Sequence, residues 1–326
     1  MSMLKQDAIK RERKKVKIDR YDDFPRPLRK GKVLFIIAML SISIISFLVF
    51  YVYKNAQSFL LAFQRYTGID KDGNRMFEWS FQNFVDVYND LFVKGDSELL
   101  LSFKNTITLF FVENLYGIPM GCIVSYYLWK KIPGTTFFRT IFYLPAIITS
   151  VINVIMYQRI IAPNGLISSL IILTGGQPMP GLLTQDSTAF LMVIAYKLWM
   201  GFAGNYIILF AALCKIPSEI VESAQLDGVN AFQEYIHICV PLSWPTIYVI
   251  LLGFVAGVLA ADGPILLLTG GNYSTTTIGY WNYKQVILSG SYEYPSAVGM
   301  CMTVIVAPLS LLAKSLLSRV YKDVEF

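Results

Sequence analysis

The chain alternates long apolar blocks with polar ones. Six apolar blocks approach or exceed the roughly 18 residues that span a bilayer as helix. They lie at about 33–53, 104–128, 137–160, 188–213, 241–262 and 295–318. The pattern predicts an all-α membrane protein with six transmembrane helices. Segments 54–103, 161–187 and 263–294 then fall on one side, and 129–136 and 214–240 on the other. The first of these is mixed in charge and aromatic, with Phe77, Trp79, Phe81, Phe84 and Tyr88. The second carries turn chemistry in "PNG" (163–165) and "GGQPMPG" (175–181).

Composition agrees with a membrane protein. Of the 326 residues, 55% are hydrophobic and 15% charged, where a soluble domain carries about 25% charged residues. The net charge of +6 is concentrated in residues 1–32, which hold 12 Lys and Arg against 5 Asp and Glu. Directly before a span, such a tail fixes orientation and touches anionic lipid rather than nucleic acid. The positive-inside rule predicts a cytoplasmic N-terminus, and six crossings return the C-terminus to the cytoplasm. Lys130, Lys131, Lys314, Arg319 and Lys322 agree with that orientation. The first apolar block starts too late to be a cleaved signal peptide and lacks a small-residue cleavage site. The expected organisation is a basic tail (1–32), a first helix with its outer loop (33–103) and a core domain (104–320). Cys122, Cys214, Cys239 and Cys301 show neither metal spacing nor a paired framework, and His237 is the only histidine. A metal site and a Ser-His-Asp triad are both disfavoured.

The loop from Cys214 to Val240 breaks the local charge bias. Lys215 stands against Glu219, Glu222, Asp227 and Glu234, net −3. Such a loop is a poor match for anionic lipid and for nucleic acid; it suits a protein partner. Its grammar is two short helices. Ser218 is placed to cap the first, with Glu219 and Glu222 in its opening turns. Gly228 fits the left-handed position that closes a helix. Asn230 and Gln233 resemble a capping box for the second. Phe232, Tyr235, Ile236 and Cys239 make an apolar stripe along it. Pro241 is expected to end it and open the fifth span. Packing on its own spans and docking to a cytoplasmic partner both fit this pattern.

The same stretch resembles the EAA loop of ABC importer permeases. That signature is Glu-Ala-Ala, three residues, Gly, nine residues, Ile, one residue, Leu-Pro. Here it reads Glu222-Ser223-Ala224, Gly228, Ile238, Val240-Pro241, with Ser223 and Val240 as conservative departures. Residues 137–168, 210–228 and 267–286 resemble the carbohydrate branch, the maltose- and glycerol-phosphate-type permeases. The likeness covers roughly 100–320 and leaves out the tail and first outer loop. It implies a cytoplasmic coupling-helix loop at 214–240, with Glu222, Ala224, Asp227 and Gly228 contacting an ATPase. It further implies a second permease subunit, two ABC ATPase subunits that bind ATP and Mg, and an extracytoplasmic solute-binding protein. The Lys/Arg-rich tail and low cysteine use fit a bacterial plasma membrane. The chain lacks a Gly-x-x-x-x-Gly-Lys-[Ser/Thr] P-loop, so ATP chemistry falls to the partners. No cofactor and no catalytic role are expected.

Ionisable residues inside spans are costly and are functional candidates by default. Glu113 and Lys197 fall at similar depth, with Asn114 and Asn153 near the same layer and Asn205 deeper. They form either an internal ion pair with separate hydrogen bonds, or a polar lining for sugar hydroxyls. Tyr143, Tyr157, Trp199 and Tyr248 are weaker candidates for stacking on sugars. Other readings stay open: an ABC permease for a sugar phosphate or peptide, a proton-coupled transporter using Glu113, or a membrane hydrolase. The last has only Glu113 and, at a span edge, Asp262 to work with.

Overall fold

The computed structural model describes residues 30–70, 72, 75–258 and 263–319. The basic tail through residue 29, Asp262 and Lys322 lie outside them. The chain divides into two units, Met1–Ser58 and Phe59–Phe326. The first unit, as far as described, is most of helix α1 (Gly31–Ala62). Its apolar side chains, Phe35, Ile42 and Phe50 among them, are exposed along almost its whole length. A helix apolar all round is built for a hydrocarbon environment.

The second unit begins with an antiparallel hairpin, β1 (Gln64–Ile69) and β2 (Arg75–Trp79), followed by α2 (Gln82–Tyr88), which runs on as a π-turn, Asn89–Val93. Then come α3 (Glu98–Trp129), α4 (Thr135–Ile147), α5 (Ser150–Ile161), α6 (Leu166–Leu173) and α7 (Ala189–Leu213). The polar loop holds α8 (Ser218–Leu226). α9 (Ala231–Ala256) follows, then short helices α10 (Ile265–Leu268) and α11 (Ile278–Tyr283), and finally α12 (Glu293–Leu317). Among the described residues, six stretches are long and apolar enough to cross a membrane, in agreement with the sequence.

Two expectations about the spans are corrected. The third, expected at 137–160, is broken. Ile148 (ψ 140°) and Thr149 (ψ 145°) are extended, dividing α4 from α5. The long apolar crossing there is Ser150–Leu173, through a turn at 162–165. Pro145 sits just before the break. The carboxamide of Asn153 donates to the Pro145 and Ile148 carbonyls at 2.9 and 3.2 Å, meeting the requirement that freed backbone groups find partners inside a membrane. The fifth span does not begin at Pro241. Helix α9 runs from the loop through a π-turn, Tyr235–Cys239, into the span. There the Val240 N–H reaches back to the Tyr235 carbonyl, and the wider turn accommodates a proline that lacks an N–H of its own.

The spans pack through small residues. On α3, Gly117 and Gly121 face α7; a Cβ at Gly121 would lie 3.3 Å from the Asn205 Cβ and 3.4 Å from the Tyr206 nitrogen. Such glycines let two backbones approach closely where no hydrophobic effect drives association. At the opposite end from the polar loop, Asn105 donates to the Ser274 and Thr276 carbonyls, both at 2.8 Å. Thr106 accepts the Ile278 N–H at 2.9 Å. These bonds fasten the segment after α10 onto α3.

Candidate functional site

The polar loop is rigid by construction. α8 starts directly after Pro217, which takes the N-cap position with φ −58° and ψ 135°. Ser218 is therefore the first helical residue and makes no cap, contrary to expectation: the proline's fixed φ sets the entry instead. Glu219 occupies the first turn, where the helix dipole favours an acid. Gly228 has φ +78°. Its N–H donates to Gln225 O at 3.1 Å and the Val229 N–H to Ala224 O at 3.2 Å. This pair of bonds is the Schellman closure that the left-handed glycine permits. Two residues on, the Gln233 N–H donates to Asn230 Oδ1 at 2.9 Å, and the Asn230 N–H to Gln233 Oε1 at 3.1 Å. The capping box forms as the sequence predicts.

An ion pair that sequence reasoning missed fixes the loop to the spans. Glu234, 2% exposed, takes Lys130 Nζ on both carboxylate oxygens at 2.6 and 2.7 Å. Tyr126 donates to the Ala231 carbonyl at 3.1 Å. Lys130 also caps the C-terminus of α3, where a cation is favoured. The available signal was opposite charge on two segments assigned to the same membrane face. The predicted apolar stripe divides in two. Tyr235 and Cys239 turn inward against Tyr126, Leu213, Ile216 and Val221, while Phe232 and Ile236 stay exposed.

What the loop presents is therefore well defined. Glu222, Asp227 and Gly228 are exposed and Ala224 is half-buried. Leu226 and Phe232 flank Gly228 in sequence as apolar knobs, 90% and 74% exposed. A Cβ on Gly228 would meet nothing within 4 Å, so the space above it is open. His237 is exposed, with Nδ1 3.1 Å from the Gln233 carbonyl. Beside the loop an apolar groove of about 700 Å³ runs between Pro119, Ile123 and Tyr127 on α3 and Phe232, Ile236 and Trp244 on α9.

Inside the bundle, Glu113 at the middle of α3 pairs with Lys197 on α7, Oε2 to Nζ 2.7 Å. Both side chains are mostly buried. Gly201, one turn beyond Lys197, borders the glutamate, a Cβ there making ordinary contact 3.5 Å from Glu113 Cγ. Gly263, at φ +64°, gives the lysine stem room, since a Cβ there would lie 3.1 Å from its Cδ. Asn205 donates to the Gly201 carbonyl of its own helix at 3.3 Å and lies deeper, against Gly117 and Gly121. Asn114 donates to Phe110 O at 2.6 Å, and its buried Oδ1 has no partner. Asn153 is spent on the α4–α5 break instead. Among the aromatic candidates, Tyr157 is internal: its hydroxyl donates to Met192 O at 2.8 Å, and its ring stacks on Trp199. Tyr143 is exposed. No cluster of three or more metal-ligating side chains occurs among the described residues.

Six long apolar helices among the described residues, a mid-span ion pair and an exposed, capped loop define a polytopic membrane protein. The chain belongs to the binding-protein-dependent transport system inner membrane component family, which it matches over residues 114–325. It is a bacterial membrane protein and not an enzyme. It is 27% identical over 271 residues to the multiple sugar-binding transport system permease protein MsmF of Streptococcus mutans, covering 81% of this chain and 88% of that one. It is 25% identical over 281 residues to the arabinooligosaccharides transport system permease protein AraP of Bacillus subtilis, covering 84% and 85%. A bacterial ABC transporter involved in importing the acidic polysaccharide alginate shares the fold, with a TM-score of 0.76 at 24% identity, over 90% of this chain and 98% of that one.

Proposed function

We propose that this chain is the transmembrane permease subunit of an ATP-driven, binding-protein-dependent importer of sugars or oligosaccharides. The loop 214–240 docks into an ATPase subunit, with Glu222, Ala224, Asp227 and Gly228 at the contact and Leu226 and Phe232 beside them. The observation that carries this reading is the anchored loop itself. It is capped at both helices, fixed by Glu234 to Lys130, and continuous through α9 into a span, yet its acidic and apolar face is uncovered. A loop that merely packed on its own spans would bury Leu226 and Phe232.

In this assembly a second, related permease completes the pathway. Two ATPase subunits bind ATP and Mg, and an extracytoplasmic binding protein delivers the solute. Both termini lie in the cytoplasm. Closure of the ATPases biases a two-state equilibrium of the spans. Glu113, Asn114, Lys197 and Asn205 line the solute path, and the unpartnered Asn114 oxygen offers an acceptor to a hydroxyl donor. Asn153 holds the helix break beside that path. The names of the relatives, several of them sugar permeases, support the solute class.

The test is a detergent pull-down of tagged protein from its host, with wild type and Gly228→Asp side by side. The wild type is expected to bring down an ATPase and a second permease, and the variant to insert normally but lose the ATPase. Equal ATPase recovery by both proteins removes the docking role from this loop. Uptake that survives ATP depletion but not an uncoupler replaces the importer with a proton-coupled carrier.

A further inference from the structure

The short helix α2 has two apolar faces, and only one is used inside the protein. Phe84, Val87 and Leu91 pack into a cluster with Ala62, Leu99, Trp281, Ala297 and Val298. The other face is a row at positions 81, 85, 88 and 92, the spacing of one helical side. Phe81 is 72% exposed and Phe92 75%, with Val85 and Tyr88 also exposed between them. Trp79, at the end of β2, is exposed as well.

Four polar side chains of this helix and its π-turn, Gln82, Asn83, Asp86 and Asp90, are engaged in hydrogen bonds. Asn83 is buried and donates to the Ala62 and Gln64 carbonyls at 3.1 and 2.8 Å. Gln82 bonds Asp86. Asp90 takes Lys94 at 2.8 Å and the Tyr294 hydroxyl. The exposed row is apolar, and four of its five residues, Trp79 included, are the Trp, Tyr and Phe types whose rings suit a boundary between water and hydrocarbon.

Its depth follows from α12. The buried face of α2 packs on Tyr294, Ala297, Val298, Cys301 and Met302, the first turns of a 25-residue span. At about 1.5 Å per residue that span is about 37 Å long, against a hydrocarbon core of about 30 Å. The first two to three turns of such a helix pass from the headgroups into the upper acyl chains. Helix α2 is therefore held at that level, on the side of the membrane opposite the coupling loop. A large apolar face set at this depth suits burial at the boundary of headgroups and acyl chains.

We infer that Trp79, Phe81, Val85, Tyr88 and Phe92 form a lipid-anchoring surface, lying at the boundary of headgroups and acyl chains in the leaflet opposite the coupling loop. The partner is the phospholipid bilayer itself. The anchor sets the height of the hairpin and of α12 against the membrane.

Spin labelling tests it. Phe81→Cys, Tyr88→Cys and Phe92→Cys are made singly on a Cys214→Ser background, which removes the exposed native thiol; unsubstituted background protein gives the residual labelling. Asp72→Cys, on the exposed hairpin turn, is the water reference, and doxyl-labelled phospholipids calibrate depth. The protein is purified from its host membrane with its co-purifying subunits and reconstituted in phospholipid vesicles. At the three stripe positions, collision with oxygen is expected to exceed collision with a water-soluble nickel chelate, at the depth of upper acyl positions. Asp72→Cys is expected to show the reverse. Nickel access at the stripe equal to that at Asp72 overturns the inference. So does low access to both reagents, which marks a protein-covered face. Nickel access that disappears only when a soluble binding protein is added also overturns it and reassigns the surface to that protein.

Discussion

At the scale of single residues, the informative positions are those where one side chain has two constraints. Gly228 is one. Its φ of +78° is disfavoured for a residue with a Cβ, so Gly228→Ala costs about 1–2 kcal/mol. Asn tolerates that conformation while adding bulk above the loop, where nothing of this chain lies within 4 Å. Gly228→Asn is therefore expected to keep the wild-type melting temperature in detergent yet weaken ATPase recovery. If Asn is tolerated in both assays and Ala in neither, backbone conformation alone explains the glycine. Glu234 is the second. It is buried against Lys130, so Glu234→Gln loses a charge-assisted bond of about 1.5–3 kcal/mol. Faster hydrogen exchange across 218–239 in that variant, with the spans unchanged, is the expected signature. The first residue was legible in the sequence because a helix-closing glycine is a local event. The second was not, since its partner lies 104 positions away and spacing alone says nothing of such contacts.

At the scale of elements, local grammar carried the reading far and then failed at two prolines. Six apolar blocks, the capping box at Asn230 and the closure at Gly228 are each written within a few residues. The break at Ile148 and the continuity across Pro241 depend on what rescues the backbone: a carboxamide in one case, a π-turn in the other. Asn153→Ala removes two bonds to carbonyls buried at the break. A loss of about 1–3 kcal/mol follows from leaving such groups unsatisfied, measurable as a lower melting temperature with normal membrane insertion. An unchanged melting temperature would mean another group already satisfies Pro145 and Ile148. The α2 region has its own test. Burial raises the Asp90 pKa, but the hydrogen bonds from Lys94 and Tyr294 outweigh it and hold the carboxyl below its ordinary 3.8. A depressed carboxyl stabilises the fold above its unfolded pKa, and that contribution is lost as pH falls through the folded value. The gap in melting temperature between wild type and Asp90→Asn is thus expected to be full at neutral pH and to shrink below pH 3.8. A gap that grows on acidification would reverse the assignment.

At the scale of the whole molecule, the proposed coupling asks how a push on the loop would reach the proposed solute path. Helix α9 answers part of it. It starts within the loop at Ala231 and runs through the apolar span to Ala256, about 39 Å of continuous helix at about 1.5 Å per residue. Its π-turn lies where the loop meets the span, so stiffness there decides whether motion is transmitted or absorbed. Ile236 and His237 occupy that turn and are exposed, so replacing both with glycine leaves the inward contacts of Tyr235 and Cys239 in place. Each glycine costs about 1 kcal/mol of helix stability, and the sum matches the 1–3 kcal/mol typical of coupling between distant sites. In vesicles holding the assembled transporter, Ile236→Gly with His237→Gly is expected to retain the ATPase and its ATP hydrolysis but to lose most ATP-driven uptake. That split separates transmission from docking, which Gly228→Asp is expected to abolish. Uptake that stays proportional to hydrolysis in the double variant would move the transmitting element to α8 and its end of α7, and Pro217 would be the next position to soften.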